Sequence, residues 1–533
     1  MSRARPEAVI LAGLVASAAA LRVWGIGYGL PHPVARPDEE LLVGKALQIS
    51  VGRLADPGDF NYSHLVYYLH ALALFAYRTW GRLVGSYGST EDFLVDVAVR
   101  HPGVQYLVCR SLVACLGTAT VLATHAAAFH AYRRRGVAFL ASALVAANYL
   151  HARDSHFGTV DVPMTLFVTL ALAFALRATG TQARRDVLLS GLFAGLATSA
   201  KYNAGVVILC VFVALSPRLF QAREPRQRLN AVATLILACA TAALAFAVTS
   251  PFCVLRFGDV LRGLVVQEKA LFRGPGTPAW SVYLGTTLPG AFGGLGYLAA
   301  AAGLARALWK RRPSDRVLLV LVAATFASMA GMTWVVPRYP LPMVPALAVL
   351  AAEASLALVP SGRAALATAL GVLLAASPLA RTLAYDRLAS RADTRLLAAE
   401  WVAAHLPPRS AILVCRGYGA PAINDDHRRP PAFKPRLVPC RVGAIEEGEA
   451  RYVVTHDHPV VDFFRLPDDT KAWLEARARR LATFDPFRAG ARVSPYFYPQ
   501  DAFYLPWSGF AALERGGPIV TIWELPSERR PAP

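Results

Sequence analysis

Acidic residues are scarce in this chain: 35 Asp and Glu stand against 55 Lys and Arg in 533 residues, and charged side chains make up only 17% of the total. Soluble domains carry roughly 25%, so an ordinary soluble globular protein is excluded. The seven cysteines form no C-x-x-C pair and no other metal-ligand spacing, which excludes a zinc ribbon or a dithiol redox site. No internal repeat or low-complexity segment is present, and that weighs against a secondary transporter, many of which carry such symmetry.

What is abundant is apolar sequence, 55% of the chain, gathered into long runs that read as a polytopic membrane protein. The net charge of +20 does not point to nucleic acid. The basic residues cluster between apolar runs, in "AYRRRG", "QARRD", "QAREPRQR" and "WKRRPSDR", as cytoplasmic topology signals do. The opening "MSRARPEAVILAGLVASAAALRVWGIGYGL" has a basic end and a long apolar core without a small-residue cleavage site, predicting an uncleaved first span.

Further spans are predicted at about 105–130, 137–151, 162–178, 187–200, 202–218, 229–250, 281–308, 316–335, 340–358 and 363–382. The segment at 65–85, "LVYYLHALALFAYRTWGRLVG", is too short between charges to span, and its Tyr and Trp suit an interface. If it does not cross, every basic cluster lies inside. The expected architecture is therefore an all-α polytopic membrane bundle of about eleven spans (1–384) with a long first external loop at about 27–104. Residues 385–533 then form an extramembrane C-terminal α/β domain, with strand-like "AILVCRGYG", "RYVVTH" and "PIVTIWEL" and helix-like "DTRLLAAEWVAAHL". Cys415 and Cys440 are disulfide candidates if that domain is outside the cytoplasm, whereas Cys109, Cys115, Cys210, Cys239 and Cys253 read as small core residues.

The polar residues at the outward-facing junctions stand out. "HPVARPDEELLVGKALQ" places Asp38, Glu39 and Glu40 just after the first apolar stretch. Asp38 reads either as a helix cap beside acids that suit the helix dipole, or as part of a reaction centre. "HARDSHFGTVDVPMTLF" supplies Arg153, Asp154, His156 and Asp161, and Asp161 too could simply cap the helix that follows. Lys201 in "SAKYNAG" reads as an interfacial anchor or a cation for a ligand. "VVQEKALFRGPG" adds Glu268, Lys269 and Arg273, and "PRYPLP" adds Arg338 between prolines. Carboxylates suit deprotonation of an incoming hydroxyl or amine, and fixed cations suit a phosphate leaving group.

The stretches "RPDEELLVGKAL", "FNYSHLVYYLHAL", "RDSHFGTVDVPMTLF", "GLATSAKYNAGVV" and "RYPLPMVPALAVLAAE", in that order, resemble the phospholipid carrier-dependent glycosyltransferases of the GT-C class. These include the protein O-mannosyltransferases and the lipid A aminoarabinose transferase. The resemblance implies a hexosyl or pentosyl transferase whose partners are a polyprenyl-phosphate-linked sugar donor, a lipid, glycan or protein acceptor, and membrane lipids, with no nucleic acid. It implies Asp38 as the general base, Glu39 as its neighbour in the motif and Asp161 as the aspartate of the second external loop, with Glu40 doing no more than favouring a helix start. Lys201, Lys269, Arg273, Arg338 and Arg153 become candidates for the carrier phosphate. Ser63-His64 departs from the proline-rich or lysine-proline element of many relatives. No cofactor is demanded; His64 and His156 are the residues that a substrate or a divalent metal would use. An oligosaccharide ligase is the rival within enzymes, and a secondary transporter the rival outside them. The expected location is the bacterial inner membrane, with the active site and C-terminal domain on the periplasmic side.

Overall fold

A computed structural model describes residues 4–32, 34–273, 276–360, 362–423, 433–459, 465–501 and 503–526. Its contacts divide the chain into two units. The first comprises Met1–Val23, Leu42–Phe75 and Cys109–Leu383; the second comprises Trp24–Leu41, Ala76–Val108 and Ala384–Pro533.

The first unit is helical. Over the described residues of the chain, seven helical stretches are long and apolar enough to cross a membrane: Val104–Tyr132, Asp161–Thr181, Tyr202–Phe220, Pro225–Thr249, Ala279–Lys310, Pro313–Ala330 and Ala364–His405, the last made of the helices Ala364–Ala389 and Thr394–His405. The apolar helices Arg135–Ala147 and Leu341–Ala357 are shorter, and the helix Leu65–Leu83 is not among the seven. The protein is an integral membrane protein.

Two local features shape this unit. Asn148 ends the helix Arg135–Ala147 and starts Tyr149–Asp154, its side-chain oxygen accepting from the His151 amide at 3.0 Å. That cap turns the polar run 151–161 inward, where Arg153, Asp154, Ser155, His156 and Asp161 are all buried. Arg22, also buried, donates to the Val145 carbonyl at 3.2 Å and lies 2.9 Å from His151 Nδ1, tying the first helix to the start of that run. The second feature is the contact between Arg184–Ala200 and Pro225–Thr249. A Cβ on Gly191 or Gly195 would run into the carbonyl of Ala238 or Ala242, so only glycine permits this approach.

In the second unit the expected α/β domain is present. A five-stranded sheet runs β2-β1-β3-β5-β4, with β1 Ala411–Cys415, β2 Lys434–Val438, β3 Tyr452–Asp457, β4 Arg479–Phe484 and β5 Ile519–Glu524. β1 pairs in parallel with β2 and β3, while β5 is antiparallel to β3 and β4. Side chains alternate across the sheet. Ile412, Val414, Val454, Val520 and Ile522 face Ala398 and Val402 of the helix Thr394–His405, and Leu406 just after it. Leu413, Val453 and Trp523 face Ile445 and Leu474 on the other side. Cys415, the last residue of β1, is joined to Cys440. Of the cysteines expected in the core, Cys109, Cys210 and Cys253 are buried, but Cys115 and Cys239 lie on exposed faces. In a membrane helix an apolar run presents some of its small residues outward, so hydropathy alone does not assign them to the interior.

Candidate functional site

In the membrane unit, Asp161 opens the helix Asp161–Thr181 and is 1% exposed. It does not cap that helix: the N-cap is Val160, and no side-chain cap hydrogen bond forms. The carboxylate instead lies between two cations, with Lys201 Nζ 2.7 Å from Oδ1 and Arg338 Nε 3.1 Å from Oδ2. Lys201 is the residue at which Arg184–Ala200 ends, and its ammonium also sits 4.4 Å from the Tyr339 ring centre. It is therefore a partner of a buried carboxylate and not an interfacial anchor. One acid against two cations leaves a net positive charge, a setting that attracts anions.

The other candidates of this unit also have partners. Arg153 pairs with its neighbour Asp154 at 3.2 Å, both buried. His156 Nδ1 meets the Ala152 carbonyl at 2.9 Å. His64 is also buried: its amide donates to Ser250 Oγ at 2.9 Å and its Nε2 meets the Asp59 carbonyl at 2.9 Å. Lys269 and Arg273 lie at the exposed end of the helix Phe257–Phe272, and Arg273 pairs with Glu268 at 3.2 Å. Such an exposed pair contributes little to stability. Among the described residues, no group of three or more His, Cys, Asp and Glu side chains is placed to hold a metal ion. A groove of about 410 Å³ lined by Arg184, Arg185, Leu188, Leu189, Leu192 and Thr241 contains none of the candidate residues.

Asp38 belongs to the second unit, and its backbone decides between the two readings of the sequence. Its φ is +71°, in the left-handed region. A capping residue has extended φ and ψ, so Asp38 is not a cap. The Glu39 amide reaches the Arg36 carbonyl at 3.3 Å, closing the turn Arg36-Pro37-Asp38-Glu39. Proline at the second position and a left-handed third residue are the marks of a type II turn. Its third position favours Gly or Asn; most other residues pay about 1–2 kcal/mol of backbone strain there, of which an aspartate recovers a part through its short polar side chain. Glu39 is buried. Glu40, expected to do no more than favour the helix start, has its pKa pushed up to about 7 by burial, with the Asp38 and Glu39 carboxylates adding to the effect. The half-buried setting of Glu40, in the first turn of the helix Glu39–Ser50, gave no signal in the sequence.

Residues of the C-terminal domain grip the chain leading into this turn. Arg36, with no exposed surface, places Nη1 2.9 Å from Asp501 Oδ1 and its guanidinium 4.5 Å from the Phe503 ring centre. Arg395 binds Asp393 through two bonds of 2.9 Å and donates Nη1 to the carbonyls of Val34, at 2.9 Å, and Tyr418, at 2.8 Å. His32 Nδ1 accepts from the Val34 amide at 3.1 Å, so its Nε2 carries the proton donated to the Ala420 carbonyl at 2.7 Å. Burial, and then the Arg395 charge, lower its pKa to about 4 and keep it neutral. The loop 416–420 leaves the carboxyl end of β1. Gly419 is required there, since a Cβ would meet His456 Nδ1 at 2.6 Å and the Tyr504 hydroxyl at 2.9 Å.

Residues 53–256 match the model of the family described as dolichyl-phosphate-mannose-protein mannosyltransferase. No curated protein matches the chain. Among solved structures, the apo form of ArnT from Cupriavidus metallidurans is 14% identical with a TM-score of 0.53, covering 98% of this chain and 98% of that one. The same protein bound to undecaprenyl phosphate gives 14% and 0.52, covering 98% and 99%. The apo oligosaccharyltransferase of Archaeoglobus fulgidus is 13% identical with a TM-score of 0.52, covering 97% of this chain and 88% of that one. The fold is that of the GT-C glycosyltransferases. The family match and the GT-C fold agree with the class read from the sequence, a lipid-carrier glycosyltransferase.

Proposed function

We propose that this protein transfers a sugar, hexosyl or pentosyl, from a polyprenyl-phosphate carrier to a hydroxyl or amine of a lipid, glycan or protein acceptor. The reaction takes place on the periplasmic face of the bacterial inner membrane. The observation that carries the reading is the backbone of Asp38. A strained aspartate, gripped by buried arginines, stands where the resemblance assigns the base, and strain of this kind persists where the surroundings over-determine it.

In this reading the Asp38 carboxylate takes the proton as the acceptor oxygen or nitrogen attacks the anomeric carbon. The bond from that carbon to the phosphate oxygen breaks, and the carrier leaves as polyprenyl phosphate. Glu39 is the neighbour that completes the motif. Asp161 supports the reaction electrostatically and orients the acceptor. Lys201 and Arg338, with net positive charge beside Asp161, suit the leaving phosphate. Lys269 and Arg273, exposed on a helix end, suit the carrier headgroup on approach. Arg153, His64 and His156 remain candidates for substrate contact. The Cys415–Cys440 bond supports placing the C-terminal domain in an oxidising compartment.

Purified protein incubated with a labelled polyprenyl-phosphate sugar and a membrane extract as acceptor is expected to give a labelled covalent product. Recovery of all label as intact donor overturns the reading. Reporter fusions after Gly85 and after Arg135 are expected on opposite sides of the membrane, and the same side for both overturns the assigned sidedness.

A further inference from the structure

The left-handed φ of Asp38 is one an aspartate adopts less readily than a glycine, and residues outside the turn hold the chain that carries it. Arg36 is the first residue of the turn and supplies the carbonyl that closes it. Its side chain is fixed by Asp501 on one side and by the Phe503 ring, itself edge-on to Tyr28 at 5.7 Å, on the other. Two residues earlier, the Val34 carbonyl is fixed by Arg395, whose other bonds go to Asp393 and Tyr418. Arg36, Asp393 and Arg395 have no exposed surface, and Asp501 is only 5% exposed. Buried charge pairs of this kind contribute little net stability but hold one geometry, because the alternative is an uncompensated charge.

We propose that Asp501, acting through Arg36, is a positioning residue by which the C-terminal domain sets the aim of the Asp38 carboxylate. The proposal rests on the reading of Asp38 as the base. The domain is then part of the catalytic apparatus without touching substrate: it holds the turn in a conformation the loop would not keep alone.

Two variants test this. Asp501→Asn removes the charge partner of Arg36. Since that substitution leaves a buried guanidinium uncompensated, a second variant, Arg36→Met with Asp501→Leu, replaces the whole pair by apolar side chains and preserves folding. Both are measured for hydrogen exchange of peptides covering 34–41 and for sugar transfer, in wild-type and Asp38→Asn backgrounds. Exchange is expected to quicken over 34–41 while the strands of the sheet stay protected. A displacement of the order of an ångström lowers kcat by about 10²-fold with KM for the donor unchanged. On the Asp38→Asn background neither variant is expected to reduce the residual rate further, because a residue acting only through Asp38 has nothing left to act on. Unchanged exchange over 34–41 overturns the proposal, as does a loss that multiplies with that of Asp38→Asn. If Asp38→Asn alone keeps wild-type turnover, the base assignment falls instead, and the exchange result still decides whether the clamp holds the turn.

Discussion

Three substitutions at Asp38 separate the carboxylate from the backbone that carries it. At φ +71° the position accepts Asn or Gly readily, whereas Ala pays the left-handed penalty with no side-chain compensation. Asp38→Asn and Asp38→Gly are therefore expected to unfold near the wild-type temperature, and Asp38→Ala to be destabilised by about 1 kcal/mol. Transfer ranks differently. General-base catalysis contributes about 10²–10⁴ in rate, so all three variants are expected to lose that factor in kcat whatever their stability. The assay is transfer of labelled sugar from a polyprenyl-phosphate donor at saturating concentration, with unfolding followed in parallel by tryptophan fluorescence. Activity that tracks stability, with Asn and Gly near wild type and Ala impaired, refutes the base and leaves Asp38 a turn residue only. Asp161 then becomes the leading carboxylate.

Two further outcomes follow from the charges. Asp161→Asn leaves Lys201 and the buried Arg338 without their counter-charge and is expected to cost about 3–5 kcal/mol in thermal stability, whereas Lys201→Met keeps the neutral Asp161–Arg338 pair and is expected to cost clearly less; equal losses in the two variants refute the pairing. Glu40 has a folded pKa near 7 against an ordinary value of 4.5, so the folded protein binds the extra proton and its stability falls as pH rises from about 4.5 through about 7. Glu40→Gln is expected to match wild type at pH 5 and to exceed it at pH 8, and an identical pH profile for the two refutes the burial argument.

Much of this molecule can be read from its sequence because bilayer and sheet impose strong periodic patterns. The apolar runs, the helix Thr394–His405 and the strands β1, β3 and β5 are of this kind. The edge strands β2 and β4 escape notice: "KPRLV" contains a proline and exposes four of its five residues, and "RRLATF" opens on two arginines, so neither alternates clearly. The site divides in the same way. Asp38 and Asp161 stand out because short acids at membrane ends need a reason. The local geometry of Asp38 does not, because a type II turn with aspartate at its third position looks like a capping sequence. The pairing of Asp161 with both Lys201 and Arg338 depends on helix packing over long separations in the chain.

The grip on the Asp38 turn also orders events during synthesis. Arg36 and its partner Asp501 are 465 residues apart, and His32 and Ala420 are 388 apart. At ribosomal speeds of about 5–20 residues per second, the first loop waits on the order of half a minute or longer for the residues that shape it. Through that interval the membrane helices can insert and pack while the turn stays unset. A chain truncated by a nonsense codon or a stalled ribosome before residue 501 would thus sit in the membrane without the acid that pairs with Arg36.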